Sequence, residues 1–225
     1  PFYDRTTIVN EPIDTLKKAL SEEALLASLV ILVFLLHVRT TAPVLATPFP
    51  EGSPLATQLQ TVARMIAVRE RLGMSRQVFF VATGGFDTHD DQLADQPGLL
   101  GNVSASLEAF YKATVELGVA SSVTTFTQSD FGRTLTSNGD GSDHAWGGVQ
   151  FVVGGAVRGG AIYGDFPLLE IGSAQDVGGG RFIPTVSADQ YAATLATWFG
   201  VADADLAGVA PSIGNFSQRN LGFVY

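Results

Sequence analysis

The feature that most constrains the fold is a nearly continuous apolar run, QVFFVAT, at residues 77–83. Such a run is typical of a strand that is buried on both faces of a sheet. A helical pattern at residues 99–118 follows it, and a second β-branched run, SSVTTFTQ, occupies residues 121–128. A strand, a helix and a strand in this order predict a βαβ unit, in which the two strands are parallel. The chain is therefore expected to have an α/β fold.

Other segments give local predictions of the same kind. Apolar residues recur at helical spacing over residues 55–72, and Gly73 is a plausible stop. Residues 187–199 predict an amphipathic helix with Ser187 as its N-cap and Gly200 as its end. Between the second strand and this helix, the polar stretch 129–148 is expected to be a long loop, and loops of that length are usually functional or disordered.

Composition narrows the class of protein. With 225 residues, one large domain is favoured over two small ones. The net charge of −9 would repel a phosphate backbone, which excludes nucleic acid as a partner. The chain has no cysteine, so disulfides, zinc–thiolate sites and cysteine nucleophiles are excluded as well.

The N-terminal part is the least regular in pattern. Its apolar run, residues 24–36, is shorter than the roughly 20 residues of a membrane-spanning helix. We interpret it as a buried helix or strand, with targeting or membrane contact as the alternative, and His37 as a core or boundary histidine. Residues 1–54 are thus predicted to be a helical and apolar segment with a proline-rich linker. They are either part of the same domain or the remnant of a longer chain, and residues 55–225 form the core.

Acids and histidines follow the two predicted strands. Asp87 and His89 come directly after the first strand, while Asp130 and Arg133 come directly after the second. His144, with Asp143 beside it, lies further along the same loop. Because ligands collect at the carboxyl ends of parallel strands, we expect these side chains to share one crevice.

Carboxylates and imidazoles in one crevice suit a divalent ion such as zinc, manganese or iron. Arg133 could then hold an anionic oxygen of a substrate. The alternative is purely structural, since Asp87 is an ordinary helix cap and the Asn138–Gly139 and Asp140–Gly141 pairs are ordinary turns. Two histidine-containing clusters after neighbouring strands favour the metal site.

Five motifs occur here in one order: GGFDTH, SDFGRT, the DH of GSDHAWGG, FVVGGAVRGGAIYG and IPTVSADQYAATLATWFGV. Together they resemble the bacterial family called domain of unknown function 1501, from about Gln58 to Phe223. That family looks related to the alkaline phosphatase-like and sulfatase-like superfamily. The resemblance implies a three-layer α/β/α sandwich with a mostly parallel sheet. It also implies export, and hence a periplasmic or secreted location.

The resemblance also implies roles for single residues. Asp87 and His89 resemble the carboxylate–imidazole pair of one metal site, and His144 resembles the later histidine of that site. Asp130 resembles the carboxylate of a second metal site, although Phe131 stands where a histidine is usual. The nucleophilic Ser or Thr of the superfamily has no match in residues 1–54.

These observations lead to a hypothesis with one alternative. The chain is expected to be a metal-dependent hydrolase of phosphate or sulfate esters, with either a complete or an incomplete site, acting on a small anionic ester. One or two ions, zinc or manganese, would be held by Asp87, His89, Asp130 and His144, with Asp143 in support and Arg133 as a catalytic residue. No transmembrane span is expected, and a homo-oligomer is left open. The alternative is an exported structural or binding protein without catalysis.

Overall fold

The computed structural model of the chain describes residues 42–225. The chain divides into two compact units, one made of Pro1–Val44 and Arg64–Gly73 and the other of Leu45–Ala63 and Met74–Tyr225. The apolar run at 24–36 and His37 lie outside the described residues, and the division at residue 54 stays a prediction. Among the described residues, no helix combines the length and the hydropathy that a membrane span requires.

Helix α1, Pro54–Ala67, occupies most of the segment that the apolar spacing predicts as helical. Ser53 begins it, since its hydroxyl accepts a 3.1 Å hydrogen bond from the backbone N–H of Ala56. Proline suits the first helical position because its missing N–H would have no intrahelical partner there. The predicted helix is confirmed up to Ala67, after which turns lead to Gly73, whose φ is +64°.

Helix α2, Gln92–Glu116, confirms the helical pattern at residues 99–118 and begins earlier than predicted. It buries Ala109, Phe110 and Ala113 on one face. The last residue, Glu116, accepts hydrogen bonds of 2.7 and 2.8 Å from the backbone N–H groups of Ala46 and Thr47. A bond from the Thr47 hydroxyl is the largest cause that lowers the pKa of the Glu116 carboxyl, and these two backbone bonds lower it further.

The strands of the described residues form two small antiparallel sheets. Strand β1, Thr124–Phe126, pairs with β4, Val152–Gly154, so that Thr124 lies opposite Gly154. Strand β2, Gly132–Ser137, pairs with β3, Ser142–Ala145. The expected three-layer α/β/α sandwich with a mostly parallel sheet is therefore wrong for the described part of the chain.

The run at residues 77–83 explains the error. It has no regular secondary structure and joins neither sheet, and its Val78 and Phe80 residues are 78% and 92% exposed. Its one backbone anchor in the described part is Ala82, which exchanges two hydrogen bonds with the side-chain amide of Gln58. An apolar pattern predicts an extended conformation, but it does not say which strand lies alongside. Without a parallel partner for this run, the predicted βαβ unit does not exist among the described residues.

The stretch 129–148 is not a long loop, as the sequence analysis expected, but a hairpin made of β2 and β3. Its turn is closed by a 3.1 Å hydrogen bond from the backbone N–H of Asn138 to the carbonyl of Gly141. The register places Arg133 opposite His144, and the pairing is irregular between Arg133 and Ser137. Polar side chains hid this hairpin from the sequence pattern, because alternation is weak when both faces carry hydroxyls.

Helix α3, Ala188–Phe199, confirms the predicted amphipathic helix and its two ends. Ser187 accepts from the Asp189 N–H and Gln190 accepts from the Ser187 N–H, while Gly200 ends the helix with φ +99°. The helix packs its alanines against two 3₁₀ turns, Asp203–Gly208 and Ile213–Asn215. The resulting core consists of five buried side chains: Ala193, Ala196, Leu206, Ala210 and Ile213.

We predict that Ser187→Ala lowers the free energy of unfolding by about 1 kcal/mol, because it removes the acceptor that caps α3. Thermal or urea unfolding measures this difference. Ser217→Ala is the matched control, since Ser217 is exposed and the same hydroxyl is removed. Equal stability of the two variants would contradict a stabilising role for this cap.

Candidate metal centre

The β2–β3 hairpin is bonded to the segment that follows residues 77–83. The Arg133 guanidinium donates from one nitrogen to the carbonyl of Ser142, at 2.7 Å, and from the other to the carbonyl of Phe86, at 2.6 Å. Asn138, in the turn, donates from its amide to the carbonyl of His89 at 3.1 Å. Gly141 lies so close to this segment that a Cβ there would collide with the carbonyl oxygens of Thr88 and His89. These contacts fix Asp87 and His89 against the hairpin.

The Oδ1 atom of Asp87 is the point at which the polar groups converge. His144 Nε2 lies 2.7 Å from it, a guanidinium nitrogen of Arg133 lies 2.9 Å away and His89 Nε2 lies 3.2 Å away. The hydrogen bond with His144 is the main cause that lowers the pKa of the Asp87 carboxyl. Desolvation, the second cause, raises this pKa, and the contacts with Arg133 and His89 lower it further. Asp87 is therefore held as a carboxylate, the form that binds cations.

The side chains of Asp87, His89 and His144 offer one ligand atom each, and these three atoms lie within 4.8 Å of one another. Two atoms bound to one ion at about 2.0–2.2 Å are at most about 4.4 Å apart, so the spacing is close to that of a metal site. The three side chains are 59%, 45% and 47% exposed. One carboxylate and two imidazoles on an exposed surface are thus a group that could hold a divalent ion.

The rings of three residues form a stack beside this group. His144 lies between Phe131, at a centroid distance of 4.0 Å and 5° between planes, and His89, at 4.9 Å and 27°. The Arg133 guanidinium carbon lies 4.9 Å from the centroid of Phe131. Phe131 therefore restrains both the imidazole and the guanidinium, although its own ring cannot bind an ion through a lone pair.

Three of the predicted site residues lie outside the group of three ligand atoms. Asp130 is exposed and does not belong to the group of three ligand atoms. Asp143 lies beside the ligand group, and its Oδ1 is 3.5 Å from His89 Nδ1. Arg133 is only 15% exposed, and its protein contacts use both hydrogens of one terminal nitrogen and one hydrogen of the other. The roles of all these residues toward a metal or substrate stay predictions.

Residues 44–194 match the model of a protein family described as a protein of unknown function, DUF1501. The chain belongs to this family. No curated protein and no solved structure matches it. The matched residues of this DUF1501 chain include the whole β2–β3 hairpin and the segment that carries Asp87 and His89.

Sequence reasoning missed the residues that assemble the site in this DUF1501 chain. Asn138 and Gly141 were assigned to turns only. In the structure, however, the Asn138 amide donates to the His89 carbonyl, and the absence of a side chain at Gly141 leaves room for that carbonyl. The signal that could have found them is the Asn-Gly-Asp-Gly turn between short Thr- and Ser-containing runs, which is typical of a hairpin. Phe131 was noted only as a departure from a histidine.

We predict that Arg133→Met lowers the free energy of unfolding by about 1–3 kcal/mol, because the carbonyls of Phe86 and Ser142 lose their donor. Urea unfolding measures the change. Arg219→Met is the control, since Arg219 is about half exposed and makes one 3.7 Å ion pair, with an exposed aspartate. A loss no larger than that of the control would show that Arg133 does not hold the hairpin to the Phe86 segment.

We further predict that the purified chain binds zinc or manganese and that Asp87→Asn weakens binding. Removing a charged ligand is expected to cost more than the roughly 10- to 100-fold loss that follows removal of an outer-shell partner. Isothermal titration after treatment with a chelator measures the affinity. Asp205→Asn, an exposed aspartate on a 3₁₀ turn, is the control. Wild-type protein that takes up neither ion would contradict the metal centre.

Proposed function

We propose that this DUF1501 chain is a metal-dependent hydrolase of phosphate or sulfate esters. The observation that carries the proposal is the convergence of Asp87, His89 and His144, whose ligand atoms lie within 4.8 Å of one another on an exposed surface. Structural metal sites are usually closed by four protein ligands, whereas catalytic sites keep a position open. Three protein ligands with exposed side chains correspond to the second kind.

The chemistry of the group agrees with this class of reaction. A divalent ion, when bound, lowers the pKa of water and stabilises negative charge that develops on an ester oxygen. Asp87 would supply the negative charge that balances the ion, and the two imidazoles would hold it as neutral ligands. Zinc and manganese are the ions that we propose, since nitrogen and carboxylate ligands suit both.

Arg133 supports two roles in this proposal. It holds Asp87 through the 2.9 Å bond to Oδ1, and this contact is present without any ligand. One hydrogen on its other terminal nitrogen is not used by the contacts to Phe86, Asp87 and Ser142. That hydrogen is the one with which Arg133 would bind an anionic oxygen of a substrate.

A relationship to the alkaline phosphatase-like superfamily is part of the proposal, as is export to the periplasm or the medium. Both are supported by the order of the motifs from GGFDTH to the segment of α3. The second metal of that superfamily is not included, because Asp130 lies outside the ligand group and Phe131 follows it. We propose one ion for this chain.

The alternative function is that of a binding protein without catalysis. The observation that favours it is the exposure of large apolar side chains outside the helices and sheets, of which Phe80 and Val78 are the most exposed in residues 77–83. Exposed apolar patches commonly mark sites of interaction. The two functions differ in whether a loaded metal centre turns over an ester.

The test is hydrolysis of p-nitrophenyl phosphate and p-nitrophenyl sulfate by chelator-treated protein, before and after addition of zinc or manganese. We expect metal-dependent release of p-nitrophenol and its loss in His144→Ala, with Asp205→Ala retaining the wild-type rate. Protein that binds metal but hydrolyses neither ester, and no other phosphate or sulfate ester in a panel, would favour the binding protein and contradict the hydrolase.

A further inference from the structure

His89 has a carboxylate near each of its ring nitrogens. Nε2 lies 3.2 Å from Asp87 Oδ1, on the side of the proposed ion, while Nδ1 lies 3.5 Å from Asp143 Oδ1, on the opposite side. An imidazole can bind an ion through only one nitrogen at a time, and the other then carries a proton. The position of the two carboxylates therefore distinguishes the two nitrogens.

From this arrangement we infer that Asp143 is a positioning residue, which accepts a hydrogen bond from the Nδ1–H of His89 and thereby directs Nε2 toward the ion. The inference rests on the metal centre of the proposed function and names the residue that orients one of its ligands. Histidines that bind metals almost always donate their other N–H to a carboxylate, a backbone carbonyl or water, which fixes the tautomer and the ring orientation.

Asp143 is itself held in place by the hairpin. Its backbone N–H donates to the Thr134 hydroxyl at 3.1 Å, and its Oδ1 accepts from the Asn138 amide at 3.2 Å. The same Asn138 amide nitrogen donates to the carbonyl of His89 at 3.1 Å. The Asn138 amide thus holds both the backbone of His89 and the carboxylate of Asp143, and it couples the positions of these two residues.

The separation of 3.5 Å is longer than the 2.9–3.0 Å that is usual for an N–H···O hydrogen bond. In this structure the two atoms approach each other without forming a hydrogen bond. The inference requires an approach of about half an ångström when an ion holds Nε2, which is within the range by which apo hydrogen bonds tighten in functional sites.

The experiment uses the full chain with zinc, and a parallel titration uses manganese. Isothermal titration compares wild type, Asp143→Ala, Asp143→Asn and the control Asp140→Ala, whose exposed carboxylate lies in the turn before β3. We expect Asp143→Ala to lose about 10- to 100-fold in zinc affinity. Asp143→Asn should recover part of it, because its amide oxygen still accepts a hydrogen bond, and Asp140→Ala should match wild type.

A second readout separates positioning from general structural damage. Two-bond ¹H–¹⁵N correlation spectra of the zinc-bound protein show which ring nitrogen of His89 is protonated. We expect a protonated Nδ1 and a zinc-bound Nε2 in wild type, and a loss of this single pattern in Asp143→Ala. Folding of each variant is checked by its thermal transition.

The outcomes distinguish the two proposals. If wild type binds neither zinc nor, in a parallel titration, manganese, the metal centre, the proposed function and the role of Asp143 fail together. If wild type binds zinc and Asp143→Ala binds it equally well with the same His89 pattern, the positioning role of Asp143 is overturned and the metal centre stands. Zinc binding through Nδ1 of His89 in wild type would also overturn it.

Discussion

The site depends on one carboxylate oxygen. Asp87 Oδ1 lies within 3.2 Å of His144, Arg133 and His89, and two of these partners belong to a different segment of the chain from Asp87 itself. The hairpin residues Arg133 and His144 face each other across β2 and β3, so a single register decides whether both reach this oxygen. A shift of that pairing by one residue would turn one of the two side chains to the other face. The pairing register of β2 and β3 therefore determines which side chains contact Asp87 Oδ1.

Backbone contacts carry as much of this arrangement as the charged side chains do. Arg133 and Asn138 bond to the carbonyls of Phe86 and His89, and Gly141 leaves room for the backbone of Thr88 and His89. Contacts of this kind position the main chain on both sides of Asp87. These backbone contacts orient the three proposed ligands without burying them. The exposed ends of the ligands are therefore accessible to a cation.

The sequence predicted the helices well, because the signals for a helix are local. The capping box of α3 and its terminal glycine lie within the residues that they control, and the structure confirms both. The sheet could not be predicted in the same way. Residues 77–83 have the composition of a buried strand, but strand pairing is decided by residues far away in sequence. In the described part of the chain, no strand pairs with residues 77–83.

The site shows the same division between local and non-local signals. Asp87, His89 and His144 could be selected from residue type and position, but the expected reason for their proximity, parallel strands ending at one edge, does not apply here. A hairpin brings His144 to Asp87 instead. Contacts such as that of Asn138 with the His89 carbonyl join residues 49 positions apart, and no local pattern in the sequence encodes them.

The separation of Asp87 and His144, 57 positions along the chain, has a consequence for the unfolded state. An ion bound by both would close a loop of that length, and closing a long loop removes conformational entropy from the unfolded ensemble. This chain has no cysteine and so cannot form a disulfide. The metal centre would then act as its reversible cross-link, and the concentration of free ion would set how strongly the two segments are tied together.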